Sequence, residues 1–127
     1  MKLNAGIITN KIVESKTFYT TVLNFGVSFE NDFYLLLHTP DHQAEVAFLL
    51  PEHPSQRPVF QSQFQEKGVF FTIEVMDAED EYKRIKSLGV SIEIELVEEP
   101  WGARAGHARD RRSGARDRVA RRQARDQ

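Results

Sequence analysis

The chain has 127 residues, enough for one domain with its own core, and it contains no cysteine, which excludes disulfides, thiolate metal sites and a cysteine nucleophile. The net charge of −2 conceals two opposed blocks: residues 1–102 carry eight basic and sixteen acidic side chains, whereas residues 103–127 carry nine arginines and three aspartates. No apolar run approaches the roughly 20 residues of a membrane span, and the start, MKLNAGIITNK, lacks the apolar core of a signal peptide, so the expectation is a cytoplasmic protein without membrane contact.

In chain order, AGIIT is a short apolar strand. Asn10 is placed to cap a helix over KIVESKTFYTTVLNF, with Phe18, Tyr19, Val22 and Leu23 on one face. FGVSFEND, FYLLLHTP and AEVAFLLP follow as three strands, separated by the turn residues ND and PDHQ. The first unit therefore reads β-α-β-β-β, over about residues 1–51.

A polar, proline-bounded linker, PEHPSQRPVFQSQFQEKG, precedes a restart. VFFTIEV is a strand. Asp77 caps the helix AEDEYKRIKSLG, whose acids lie in the first turn and whose basic residues lie near the end, as the helix dipole favours, with Gly89 to stop it. Ala78, Tyr82 and Ile85 form its apolar stripe, and VSIEIELVE has the two-residue period of a strand with one wet face. Shifted by 63 positions, GVSFE answers GVSIE and Tyr19 answers Tyr82, an echo consistent with a duplicated unit over about 68–102.

Two such units, with FYTTVLNF and EYKRIKSLGV closing the helices and EEPWG after the sixth strand, resemble the vicinal oxygen chelate superfamily of glyoxalases, bleomycin-resistance proteins and extradiol dioxygenases. The resemblance covers residues 1–102. It implies an α+β fold of tandem β-α-β-β-β units whose curved mixed sheets enclose a cavity, and a homodimer. It is weak as to activity, because one fold hosts many functions.

Metal-using members place His or Gln on the first strand of each unit and Glu on the last. Family spacing puts Asn4 and Phe70 at the first-strand positions, and Glu45 is the only carboxylate on the fourth strand. Phe70 has no lone pair to donate and Asn4 offers a weak neutral oxygen, so the expectation is no metal cofactor. Asn4, Phe33, Glu45, Phe48, Phe70 and Trp101 are the cavity candidates, aromatic faces suiting a planar or cationic ligand and the acidic body favouring a cation. The four histidines lie at strand ends, in loops or in the tail without paired spacing, and no phosphate loop or nucleophile elbow is present.

The reading is a small-molecule binding protein. The alternative is an enzyme, a glyoxalase-like lyase or a dioxygenase, holding one divalent ion through Glu45 and Asn4. A nucleic-acid protein with a basic arm ranks last, because the tail interleaves aspartates with its arginines and the body would repel phosphates.

The tail, 103–127, has Val119 as its single large apolar residue, and basic residues switch from lysine-dominated to arginine only. That switch reads as a shift of coding frame near Arg104, replacing the last two strands. A shift carried by the protein predicts poor order over 105–127. A shift confined to the written sequence predicts two strands with arginines where apolar side chains belong.

Overall fold

The computed structural model describes residues 1–98, 103–109 and 116–122, with side chains through residue 92. The chain divides into two compact units, residues 1–67 and 68–127.

In the first unit, β1 (Asn4–Ile8) leads through α1 (Ile12–Thr21) to β2 (Gly26–Glu30), β3 (Tyr34–His38) and β4 (Glu45–Leu49), and the sheet order is β1-β4-β3-β2. β1 runs parallel to β4, and the other pairs are antiparallel. Alternation along β3 and β4 decides which side the helix covers. Leu35, Leu37, Val46 and Phe48 point to α1 and are buried, Leu37 and Phe48 completely. Tyr19 of α1 packs against Phe48 with ring centroids 5.4 Å apart, and Phe18 and Phe25 add edge and tilted contacts to Tyr19.

Sequence propensity alone does not explain α1. Its Thr17, Thr20 and Thr21 hydroxyls donate to the carbonyls of Val13, Lys16 and Thr17, one turn back, bonds that compete weakly with helix stability. The helix is held by its buried stripe instead. It also begins one residue later than expected. Lys11 is the cap position and makes no side-chain cap; the Thr9 hydroxyl accepts its N–H at 3.0 Å, while Asn10 accepts from the Gln63 amide. Asn24 closes the helix with φ 59°, a left-handed conformation its short side chain tolerates.

The linker folds back on this unit. The Phe64 N–H donates to the Ile8 carbonyl at 2.7 Å and Lys11 pairs with Glu66 at 3.0 Å, so the first unit extends past residue 51. A short 3-10 turn, Pro58–Phe60, lies within it.

The second unit repeats the order: β5 (Phe70–Glu74), α2 (Ala78–Ser87), β6 (Ile92–Glu98), β7 (Ala103–Arg109) and β8 (Arg116–Arg122), in the sheet order β5-β8-β7-β6. Asp77 caps α2 as expected, its carboxylate accepting from the N–H groups of Glu79 and Asp80 at 3.0 and 3.1 Å, and Gly89 follows the helix with φ 78°. Ala78 and Ile85 are buried, and Tyr82 is half-buried with the Lys86 ammonium over its ring.

The repeat is real in its element order but its period differs from the echo. β1 and β5 begin at 4 and 70, α1 and α2 at 12 and 78, β2 and β6 at 26 and 92, an offset of 66 each time. Tyr19 thus corresponds to Ile85, the buried residue of the second helix, and not to Tyr82. GVSFE is strand β2, whereas GVSIE is a turn entering β6. The echo came from two helix-to-strand junctions of similar composition, slipped by three residues. The tail supplies the backbone of β7 and β8 without the apolar alternation that marks a strand in sequence; main-chain pairing does not depend on side-chain type.

Replacing Tyr19 by Ala deletes a large aromatic at the centre of the first core, and urea denaturation should show a loss of about 3–5 kcal/mol. Asp77→Ala removes a cap that satisfies two N–H groups, for which a loss of about 1 kcal/mol is expected in the same measurement.

Candidate functional site

The face of the first sheet opposite α1 collects the unit's polar equipment. Strand register sets its rows. Asn4, Glu45, His38 and Gly26 lie side by side across β1, β4, β3 and β2. The next row is Gly6, Ala47, Leu36 and Phe29, and the third is Ile8, Leu49 and Tyr34. A register slip between Val27 and Phe29 allows Phe29 to join this face, where its ring lies 6.1 Å from that of Tyr34. Gly6 and Ala47 make the centre of the face shallow, and a side chain added at Gly6 would meet nothing within 4 Å.

Glu45 has a side chain only 13% exposed, and it forms an ion pair with Lys2. Its charge is therefore already met. His38 is half-buried and sits over Gly26, so closely that a Cβ at Gly26 would lie 2.3 Å from its Nε2. Gly26 is required there for clearance. His42, at φ 58° in the β3–β4 turn, stacks on His38 with centroids 3.8 Å apart and planes at 15°. The turn itself is tied by Thr39, whose hydroxyl donates to the Asp41 carboxylate at 2.6 Å and accepts the N–H groups of Gln43 and Ala44 at 3.1 Å. The Thr39 hydroxyl, and then the Gln43 N–H, hold the Asp41 carboxyl below its ordinary value.

The structure thus brings the candidates Asn4 and Glu45 together. Of the first unit's other candidates, neither Phe33 nor Phe48 joins them. Phe33 lies in the β2–β3 turn, stacked on His53 at 3.9 Å, and outside the rows of the open face. Phe48 is a correction: strand parity turns it toward α1, where it is fully buried beneath Tyr19, so it does not line a cavity on the open face. Phe70 opens β5 and is 64% exposed, with Arg116 as its register partner on β8. Trp101 lies outside the described residues. His38 is set aside in the sequence for want of paired spacing, and the run YLLLH hides its parity: with three leucines in a row, nothing in the sequence says which faces the helix. Counting by two from buried Leu35 and Leu37 puts Tyr34, Leu36 and His38 on the other side.

A concavity of about 550 Å³ lies on the helix side between α1 and the β2–β3 turn. Its lysine and one of its carboxylates, Lys16 and Glu30, are paired at 2.8 Å, and the hydroxyls of Thr17, Thr20 and Thr21 are spent on the backbone.

A sequence profile of the glyoxalase/bleomycin resistance protein/dioxygenase superfamily matches residues 3–116. The chain belongs to this superfamily. Among curated proteins none matches the sequence. Solved structures share the fold at low identity. A lactoylglutathione lyase from Agrobacterium tumefaciens is 13% identical with a TM-score of 0.77, over 95% of this chain and 92% of that one. A superfamily member from Sphaerobacter thermophilus is 22% identical with a TM-score of 0.73, over 95% and 96%. A bleomycin resistance determinant encoded on the transposon Tn5 is 18% identical with a TM-score of 0.66, over 98% and 99%.

The resemblance puts the superfamily's metal positions on the first and last strands of each unit. The first and last strands of each unit pair Asn4 with Glu45 and Phe70 with Arg116. Phenylalanine has no donor atom, and Glu45 is engaged by Lys2. Such a set does not fit a divalent ion bound in the superfamily's manner. Among the described residues no three His, Asp or Glu side chains converge as a metal site would require. No helix among them is long and apolar enough to cross a membrane.

The Asp41 carboxyl should titrate below the ordinary aspartate range in carbon-detected NMR, and Thr39→Val should return it toward that range. Because the folded-state value is depressed, the ionised carboxylate favours the folded turn above the ordinary range, and this contribution fades as pH falls through the depressed value.

Proposed function

We propose that this chain is a small-molecule binding member of the superfamily that works without a catalytic metal, holding an aromatic or cationic ligand by burial and stacking, as a cytoplasmic homodimer. Phe70 carries this reading. It stands where a metal-using member needs a ligand, and it supplies an exposed aromatic surface instead.

The runner-up is a metal-dependent lyase or dioxygenase. It draws support from the register of Asn4 with Glu45 and from His38 in the same row. Metal analysis separates the two. Protein purified without chelator should carry substoichiometric transition metal, and added Ni²⁺, Zn²⁺, Mn²⁺ or Fe²⁺ should leave its melting temperature unchanged. An ion near one per chain that disappears in Glu45→Gln would reverse the order. A mass-spectrometric search for a compound retained by the native protein would name the ligand.

The tail fits a shifted frame near Arg104 and not a nucleic-acid arm. In support, its arginines would occupy strand positions that the fold ordinarily fills with apolar residues. Resequencing the gene, with an intact-mass measurement, should reveal a frame change; an unshifted gene whose product has the mass of the present sequence would overturn this part of the proposal.

A further inference from the structure

His38 ends β3, and its ring is fixed from three sides. Nδ1 lies 2.7 Å from the Thr39 carbonyl oxygen. A carbonyl oxygen can only accept, so Nδ1 carries the proton, and in the neutral ring Nε2 keeps its lone pair. The stacked His42 holds one face of the ring, and the Nε2–Cε1 edge passes over Gly26 on the edge strand β2. The ring therefore has a set tautomer and little freedom to turn.

Nε2 has no hydrogen-bond partner among the described residues. The charged groups around it are already engaged. Glu45, beside His38 on β4, is paired with Lys2; Asp41, in the turn that carries His42, accepts from Thr39 and Gln43. Apolar Leu36 and Phe29 form the neighbouring row of the same face. A preorganised acceptor beside an apolar floor is the arrangement by which a pocket reads one polar group on a mostly apolar ligand.

We infer that His38 Nε2 is the hydrogen-bond acceptor for the ligand of this open face, and that it selects compounds carrying an N–H or O–H donor on an aromatic or apolar body. The inference rests on the small-molecule binding proposed for the chain and adds to it that the ligand lies on this face. No proton is transferred and no bond is made or broken; His38 acts as a specificity residue.

Two measurements on the full chain test it. Two-bond ¹H–¹⁵N spectra of labelled protein should show His38 as the Nδ1–H tautomer, and an Nε2–H tautomer would overturn the inference without any ligand. Indole and 1-methylindole then serve as matched probes, alike in shape but differing in the N–H. Titrations followed by amide shifts should place indole on the face containing Leu36, His38 and Glu45, with 1-methylindole about fivefold weaker, as expected for one net hydrogen bond. His38→Phe should abolish the difference between them. Should that variant fail to fold, the comparison on the native chain decides. Equal affinity of the two probes at this face would refute the role of His38 while leaving the binding reading intact. If neither probe shifts residues of the open face, both fall.

Discussion

The packing of Tyr19 on Phe48 is the contact from which the rest of the first unit follows. Both side chains are essentially inaccessible to water, and together with Leu35 and Leu37 they commit one face of β3 and β4 to the helix. Because side chains alternate along a strand, that commitment fixes the opposite face as well. Tyr34, Leu36 and His38 have no other direction to take. The polar row of Asn4, Glu45 and His38 is therefore a by-product of where the aromatic core lies, and a slip of one residue in β3 would turn His38 inward and expose Leu35 and Leu37.

Much of the fold was legible in the sequence, for a reason visible in α2. Asp77, the acids of the first turn, the basic residues of the last and Gly89 are local signals, each acting within a few residues of itself, and the structure uses them all. The helix α1 was legible through its stripe but not through its start. Asn10 has good capping chemistry, yet Thr9 and Lys11 take the positions that matter, because tertiary contacts with the linker draw Asn10 away. Local preference is a weak prior where a neighbour from another element competes. The strands of the tail show the opposite limit: backbone pairing can be satisfied by a sequence with none of the side-chain periodicity that would reveal it.

The site was less legible than the fold. Asn4 was reached by counting back from a motif and Glu45 as the only carboxylate of its strand, and register joins the two as neighbours. The faces of Phe48 and His38 were hidden for one shared reason. AEVAFLL and YLLLH are nearly continuous apolar runs, and such runs do not disclose which residues face the helix; only the partner strand does. Lys2 was silent for a different reason. A lysine two residues from the start of a chain carries no signal of its own, and its importance comes from the carboxylate opposite, 43 positions away.

The parallel pairing of β1 with β4 has a bearing on how the chain reaches this structure. Asn4 meets Glu45 across 41 residues, whereas β2, β3 and β4 are joined by tight turns at Asn31 and Asp41. Closing a long loop costs more entropy than closing a hairpin, so the three-stranded meander can assemble on its own account and offer β4 as a template. β1, which precedes the meander in the chain, is then secured after it. Until it docks, the outer edge of β4 stands open, and the Lys2 ammonium, arriving with β1, meets the Glu45 carboxylate only when the sheet is complete.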